Sequence, residues 1–201
     1  ITGGVLTGAD IGFTTVSTDT RTVQPGDLFV ALKGPNFNGN AYVAVAAEKK
    51  AAAALVSEQM QAPLPTLQVA DTRIALGQLG RHNRRLSAAR VIGLTGSQGK
   101  TTVKEMTAAI LREAGAVLNT QGNLNNDYGV PLTLFNLRAA HRRAVIELGM
   151  NHPGEIEVLA RYAQPTIGLV NNAQREHQEF MATVEAVALE NGEVIRSLPN
   201  N

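Results

Sequence analysis

The sequence predicts an α/β protein: a small N-terminal α/β domain followed by part of a second α/β domain built on a mostly parallel sheet. Two observations carry that prediction. From Val91 onward, apolar strand-like runs alternate with helical stretches, the order that packs helices on both faces of a parallel sheet. Between the first run and its helix lies TGSQGKTT, Thr95 to Thr102, a glycine-rich turn of the mononucleotide-binding type.

In the first half, the turn signal Pro25-Gly26-Asp27 introduces an apolar strand at 28–32. Residues 41–54 are alanine-rich and helix-compatible, and short strands are expected at 52–56 and 64–69. Asp71 or Thr72 caps a helix running to about Arg85. The polar, basic cluster RHNRRLSAAR, 81–90, then separates two domains, 1–84 and 85–201. In the second, strands are expected at 91–95, 116–120, 143–148 and 166–170. A helix with one buried face follows the first of them, its apolar or small residues falling at Val103, Met106, Thr107, Ile110, Leu111 and Ala114.

Composition narrows the function classes. Lys plus Arg number 18 against 17 for Asp plus Glu, so no general electrostatic pull toward nucleic acid or an anionic membrane is expected. A phosphate-bearing ligand would need a local site. There is no cysteine, hence no disulfide framework and no thiolate nucleophile or metal site, which fits a cytoplasmic protein. No apolar run approaches the roughly 20 residues that span a bilayer, so no membrane insertion is expected. The chain starts at Ile1 and stops after an apparent helix, which leads us to expect a piece of a longer protein.

The phosphate site follows from the needs of a hydrated polyanion. Gly96 and Gly99 remove side chains so that backbone N–H groups of the loop Gly96, Ser97, Gln98, Gly99 can turn inward at a helix N-terminus. Lys100 adds a positive charge, and the Thr101 hydroxyl, with Thr102 beside it, suits a magnesium ion. Leu94 stands where the strict GxxxxGK[ST] pattern has its first glycine, so the shorter form TGSxGKTT is the one that fits. Glu147 interrupts an apolar strand, AVIEL, near the carboxyl edge where open α/β sheets bind ligands. A glutamate facing water is the alternative that the residues alone leave open.

Several motifs in order resemble those of the Mur ligases: STDTRTVQPGDLFVALKG ending at Gly34, TGSQGKTTVKEMTAAIL from Thr95, GNLNNDYGVPLTL at 122–134, AVIELGMNHPGEI at 144–156 and LVNNAQREH at 169–177. The resemblance implies three domains in the whole protein, of which this chain holds the UDP-substrate domain and part of the central ATPase domain. It also implies the chemistry of those members that join D-alanyl-D-alanine to UDP-N-acetylmuramoyl-tripeptide in peptidoglycan synthesis. ATP phosphorylates the terminal carboxylate of the UDP-linked peptide, and the dipeptide amine displaces phosphate from the acyl phosphate.

ATP and Mg2+ are therefore the expected cofactors. By resemblance the catalytic residues are Lys100, Glu147 and His177, with Thr101, Glu147 and His177 as metal ligands and Gly96 to Thr102 on ATP. His177 taken alone, among Arg175, Glu176 and Glu179, reads more readily as a solvated surface residue, so its metal role rests on the resemblance. Substrate contacts are expected from Ser17, Thr18, Asp19, Thr20, Arg21, Lys33 and Gly34, and from the polar loop residues Asn123, Asn125 and Asn126. Arg21 suits a diphosphate because its planar fork matches phosphate oxygens. Asn151 and His152 line the same cleft or simply cap a helix. Asn40 and Asn191 depart from the family, which often has histidine at the first position and, in many members, a carbamylated lysine at the second. A monomer is expected. Two other readings stand beside this one: a ligase of the folylpolyglutamate synthetase type, which the motif before Gly34 argues against, and a nucleotide-binding module without catalysis.

Overall fold

The computed structural model describes residues 1–175 and 183–199. The chain divides into two compact units, Ile1–Leu79 and Gly80–Asn201. Helix α2, Thr72–Arg85, runs through that division.

The first unit is a five-stranded sheet in the order β1-β7-β6-β3-β2, with β1 Val5–Thr7, β2 Val16–Ser17, β3 Leu28–Val30, β6 Ala53–Val56 and β7 Thr66–Gln68. All pairings are parallel except that of β1 with β7. A small hairpin, β4 Lys33–Gly34 with β5 Phe37–Asn38, leads through a 3-10 turn at Gly39–Tyr42 into α1, Val43–Glu48. The alanine-rich stretch expected to be one helix over 41–54 is thus shorter. It stops at Lys49, Lys50 turns to positive φ, and Ala53 and Ala54 enter β6, where Ala54 is fully buried. Helix propensity loses here to burial in the sheet. Asp71 Oδ1 accepts from the N–H groups of Arg73 at 2.7 Å and Ile74 at 3.1 Å, capping α2, while the Thr72 hydroxyl donates to the Ala31 carbonyl.

The second unit is a four-stranded, all-parallel sheet in the order β11-β8-β10-β9: β8 Arg90–Thr95, β9 Val117–Asn119, β10 Arg143–Glu147 and β11 Ile167–Val170. Helices α3 Lys100–Arg112, α4 Gly129–Leu134, α5 Glu155–Ala163 and α6 Val184–Arg196 complete it. Ala144 and Ile146 of β10 join the core formed with α4, α5 and α6. Strand alternation then turns Glu147 to the other face, where it meets α3. Helices therefore cover both faces.

The buried face of α3 differs from expectation. Lys104 and Ala108 are buried, whereas Met106 and Ile110 are 61% and 70% exposed. The apolar residues formed a helical pattern, but the sheet takes the stripe that includes a lysine. Among the described residues no helix is long and apolar enough to cross a membrane.

Candidate active site

The second unit's ligand crevice follows from its topology. From β8 the chain crosses through α3 over one face to β9; from β10 it crosses through α5 over the other face to β11. The carboxyl ends of the adjacent strands β8 and β10 thus form a switch point, the place where open α/β sheets bind ligands. The phosphate-type loop leaves one strand there, and Glu147 ends the other.

Gly96 has φ +140° and Gly99 φ +74°, backbone that a side chain would strain. Lys100 to Arg112 then coil into α3, whose first-turn N–H groups have no partner inside the helix. Not every amide of the loop is available to a ligand. Ser97 N donates to Asn172 O at 3.2 Å, and Gln98 N donates to Asn172 Oδ1 at 3.0 Å. Among the described residues, the N–H groups of Ser97 and Gln98 are thus engaged, and those of Gly99, Lys100, Thr101 and Thr102 stand at the helix N-terminus, where a phosphate can be received. Lys100 Nζ donates to Gly96 O at 2.6 Å, curled over the loop it belongs to.

Glu147 is 2% exposed, and donors meet both of its oxygens. Asn125 Nδ2 donates to Oε1 at 2.9 Å, Thr101 Oγ1 lies 3.2 Å from Oε2, and Lys104 Nζ lies 3.7 Å from Oε2. Its own N–H donates to Thr120 Oγ1 at 2.9 Å. Asn125 reaches this position because Gly149 has no side chain: a Cβ there would stand 2.8 Å from the Asn125 amide, and Gly149 N donates to Asn125 O.

A magnesium ion fits the pair formed by Thr101 and Glu147. Two ligand oxygens side by side on an octahedral ion with bonds of about 2.1 Å lie about 3 Å apart, and Thr101 Oγ1 and Glu147 Oε2 are 3.2 Å apart. A hydroxyl and one carboxylate are the kind of donors magnesium takes when phosphates and water supply the rest. Among the described residues there is no cluster of three or more acidic or histidine side chains that would hold an ion unaided. His177, the other expected ligand, lies outside the described residues.

The three loop asparagines separate in role. Asn125 holds Glu147, Asn126 Oδ1 accepts from Gly129 N at the start of α4, and Asn123 is exposed. Asn151 and His152 close the turn before α5, both donating their N–H groups to Glu155 Oε2. Burial raises the Glu155 carboxyl, but those donors outweigh it and hold it below the usual range. Asn191 is fully buried and accepts from the Thr95 hydroxyl at 2.7 Å, while its Nδ2 has no partner among the described residues. Its neighbours are engaged elsewhere: Glu190 caps α5 through the N–H groups of Gly154 and Ile156, and Glu193 pairs with Arg196.

In the first unit, Ser17 to Arg21 form a turn closed on itself. The Ser17 hydroxyl donates to Asp19 O, and Asp19 accepts from both the backbone and the guanidinium of Arg21, with Nη2 at 2.6 Å from Oδ2. That fork holds the Asp19 carboxyl down at about 2 and leaves the Arg21 side chain 88% exposed. The Arg21 guanidinium is thus paired with the Asp19 carboxylate in an exposed contact. A cavity of about 430 Å3 is lined by Thr18 to Arg21 with Phe29, Phe37 and Tyr42, the last two stacked with centroids 5.5 Å apart. Lys33 pairs with Glu58 at 2.9 Å, beside Gly34 in the hairpin. Asn40 is a structural joint, bonded to Asn38 and Ser57.

Another cavity of about 500 Å3 in the second unit is lined by Arg81, Arg161, Thr166, Glu193 and Arg196 among others. Thr166 precedes β11, so this cavity lies where strands begin, the wrong edge for a nucleotide in this architecture.

Sequence reasoning missed Lys104, Asn171 and Asn172. Lys104 lies four residues before Ala108 on the buried side of α3, a spacing that marks an inward-facing lysine once the buried stripe is drawn through it. Asn171 and Asn172 directly follow β11, the strand beside β8, and both donate to Gln98 O, at 2.7 and 3.0 Å.

Comparison with known proteins bears on the same residues. Residues 94–201 match the Mur ligase middle domain, and residues 12–110 match the Mur ligase family catalytic domain. The UDP-N-acetylmuramoyl-tripeptide:D-alanyl-D-alanine ligase of Escherichia coli is 49% identical over all of this chain, which spans 44% of that protein. The ligase of the same name from Bacillus subtilis is 38% identical over 91% of this chain and 41% of its own length. A crystal structure of MurF from Acinetobacter baumannii superposes with a TM-score of 0.94 at 39% identity, covering 98% of this chain and 45% of that one. The MurF ligase of Thermotoga maritima, crystallised in complex with ADP, gives 0.88 at 29% identity, covering 96% and 45%. The chain thus spans a little under half the length of these relatives.

Proposed function

The chain belongs to the Mur ligase family, and from that premise we propose that the whole protein is an ATP-dependent ligase joining D-alanyl-D-alanine to UDP-N-acetylmuramoyl-tripeptide. The observation that carries the reading is the 3.2 Å approach of the Thr101 hydroxyl to the buried Glu147 carboxylate, beside the helix N-terminus and lysine of a phosphate-binding loop. The relatives named for this reaction match the chain over 91–100% of its length.

The mechanism assigns each residue a physical task. The N–H groups of Gly99 to Thr102 and the α3 dipole receive the nucleotide's phosphates. Lys100 exchanges the Gly96 carbonyl for a phosphate oxygen, moving its charge onto the transferring group. A magnesium ion held by Thr101 and Glu147 would neutralise phosphate charge. Asn125 and Thr120 fix Glu147 so that its free lone pairs do not wander. A carboxylate oxygen of the tripeptide attacks the γ-phosphorus and ADP departs. The dipeptide amine, after giving up a proton, then adds to the acyl carbon, and phosphate leaves as the amide forms. No protein nucleophile is required, because the work is to bring two anions together and screen their repulsion.

The first unit, with its cavity at Thr18 to Arg21, takes the UDP end of the tripeptide in this reading. The protein is cytoplasmic and monomeric in the same account. The test is product formation by the whole protein: ATP, Mg2+, the UDP-tripeptide and D-alanyl-D-alanine together should yield the UDP-pentapeptide, ADP and phosphate in equal amounts. ATP hydrolysis that ignores both peptide substrates, or turnover of a folyl substrate instead, would refute the assignment.

A further inference from the structure

Lys104 is a lysine with no exposed surface in a protein whose other site groups lie at the crevice. Its Nζ is 3.1 Å from Glu105 Oε1, 3.7 Å from Glu147 Oε2 and 3.4 Å from the Gly122 carbonyl oxygen, to which it donates. A buried ammonium is costly unless opposite charge and acceptors surround it, so its retention here implies a task that a hydrophobic residue would not perform. Three facts identify the task. Lys104 lies one turn beyond Lys100 on the same helix, behind Thr101 as seen from the helix N-terminus. It approaches Oε2, the oxygen nearer to Thr101 Oγ1 at 3.2 Å against 3.5 Å for Oε1, while Asn125 donates to Oε1. Its bond to Gly122 ties in the start of the loop that carries Asn125.

We propose that Lys104 is a positioning residue for Glu147: a fixed cation that holds the carboxylate in the orientation in which one oxygen faces Thr101, and that anchors the Gly122 loop so that Asn125 can hold the other. It touches no reacting atom. The inference rests on the reading of Thr101 and Glu147 as the magnesium pair and adds to it the group that keeps the pair in register.

Position and charge predict opposite signs when Lys104 is removed. If the lysine were only a nearby positive charge, its loss would relieve repulsion and tighten magnesium binding. If it positions Glu147, its loss frees the carboxylate and weakens binding. The experiment is calorimetry of ADP binding to the whole protein with and without Mg2+, for wild type, Lys104→Met and Lys104→Gln. Glutamine is shorter than lysine, so its amide does not span Gly122 and Glu147 together. In wild type, Mg2+ should strengthen ADP binding. Both variants should lose at least tenfold of that enhancement while binding ADP without Mg2+ to within twofold of wild type, because the loop and helix N-terminus are untouched.

A wild-type protein that binds ADP equally with and without Mg2+ would remove the magnesium pair and with it the function proposed above. A magnesium-dependent wild type with variants that keep, or increase, the enhancement overturns the role of Lys104 alone. Failure of both variants to fold, with Glu105→Gln folding normally, also overturns it, since Lys104 would then be supporting the domain rather than the carboxylate.

Discussion

At the scale of single residues, what the sequence made legible was chemistry with a local signature. Gly96, Gly99, Lys100 and Thr101 announce themselves because the spacing is the function, and Glu147 because a charge in an apolar strand needs a reason. Partners brought together by the fold carry no such mark: Thr95 with Asn191, or Lys104 with Glu147, meet only after the sheet has formed. Lys100→Ala should lower ATP-dependent turnover by about a hundredfold or more, the scale of removing a preorganised charge at a transferring group, with circular dichroism unchanged because among the described residues the side chain bonds only to its own loop. Near wild-type turnover would remove the loop from the mechanism. Asp19 supplies a pH test. Its folded value of about 2 lies below the ordinary 3.8, so the contact with Arg21 is fully present above 3.8 and is lost as pH falls through about 2. The carboxyl resonance of Asp19 should therefore titrate near 2 and return toward 3.8 in Arg21→Ala. The pair is exposed, so global stability should barely register the change.

At the scale of elements, all four strands of the second unit fall within the expected runs to within a residue at either end, since each is a compact apolar segment bounded by polar turns. The inward face of α3 was misread for a physical reason. Apolar periodicity reports what can be buried, whereas the sheet buries what faces it, and Met106 and Ile110 face outward. Alanine over 41–54 was ambiguous in the same way, being small enough for a helix or a tightly packed strand. The clamp from the loop after β11 is the element-scale feature with the clearest consequence. Asn172→Ala deletes two hydrogen bonds to Gln98, one in each direction. At about 1 kcal/mol for each bond, ADP binding by the whole protein should weaken by up to about thirtyfold, measured by calorimetry. An unchanged Kd would mean that the loop holds its shape without the clamp.

At the scale of the whole molecule, Asn191 stands where the family resemblance implies a lysine carbamate in many members, which bears on whether this protein needs carbon dioxide. The second unit has two lysines, Lys100 and Lys104. Lys104 Nζ lies between the carboxylates of Glu105 and Glu147, where a carbamate's negative charge would be repelled. Glu190 and Glu193 are committed to α5 and to Arg196. Activity should therefore be unaffected by removing bicarbonate, and Asn191→Lys alone should not create a carbon dioxide requirement, because its side chain would enter a fully buried site bonded to Thr95. Bicarbonate-rescued activity with a carbamate mass shift on either lysine would contradict this. The central claim is that this loop and carboxylate serve the activation of a substrate carboxylate by ATP. The most direct measurement uses UDP-tripeptide labelled with heavy oxygen in its terminal carboxylate, incubated with the whole protein, ATP, Mg2+ and D-alanyl-D-alanine, with mass spectrometry of the phosphate released. The account predicts one labelled oxygen in each phosphate formed with the amide product. Amide formation accompanied by unlabelled phosphate would contradict it.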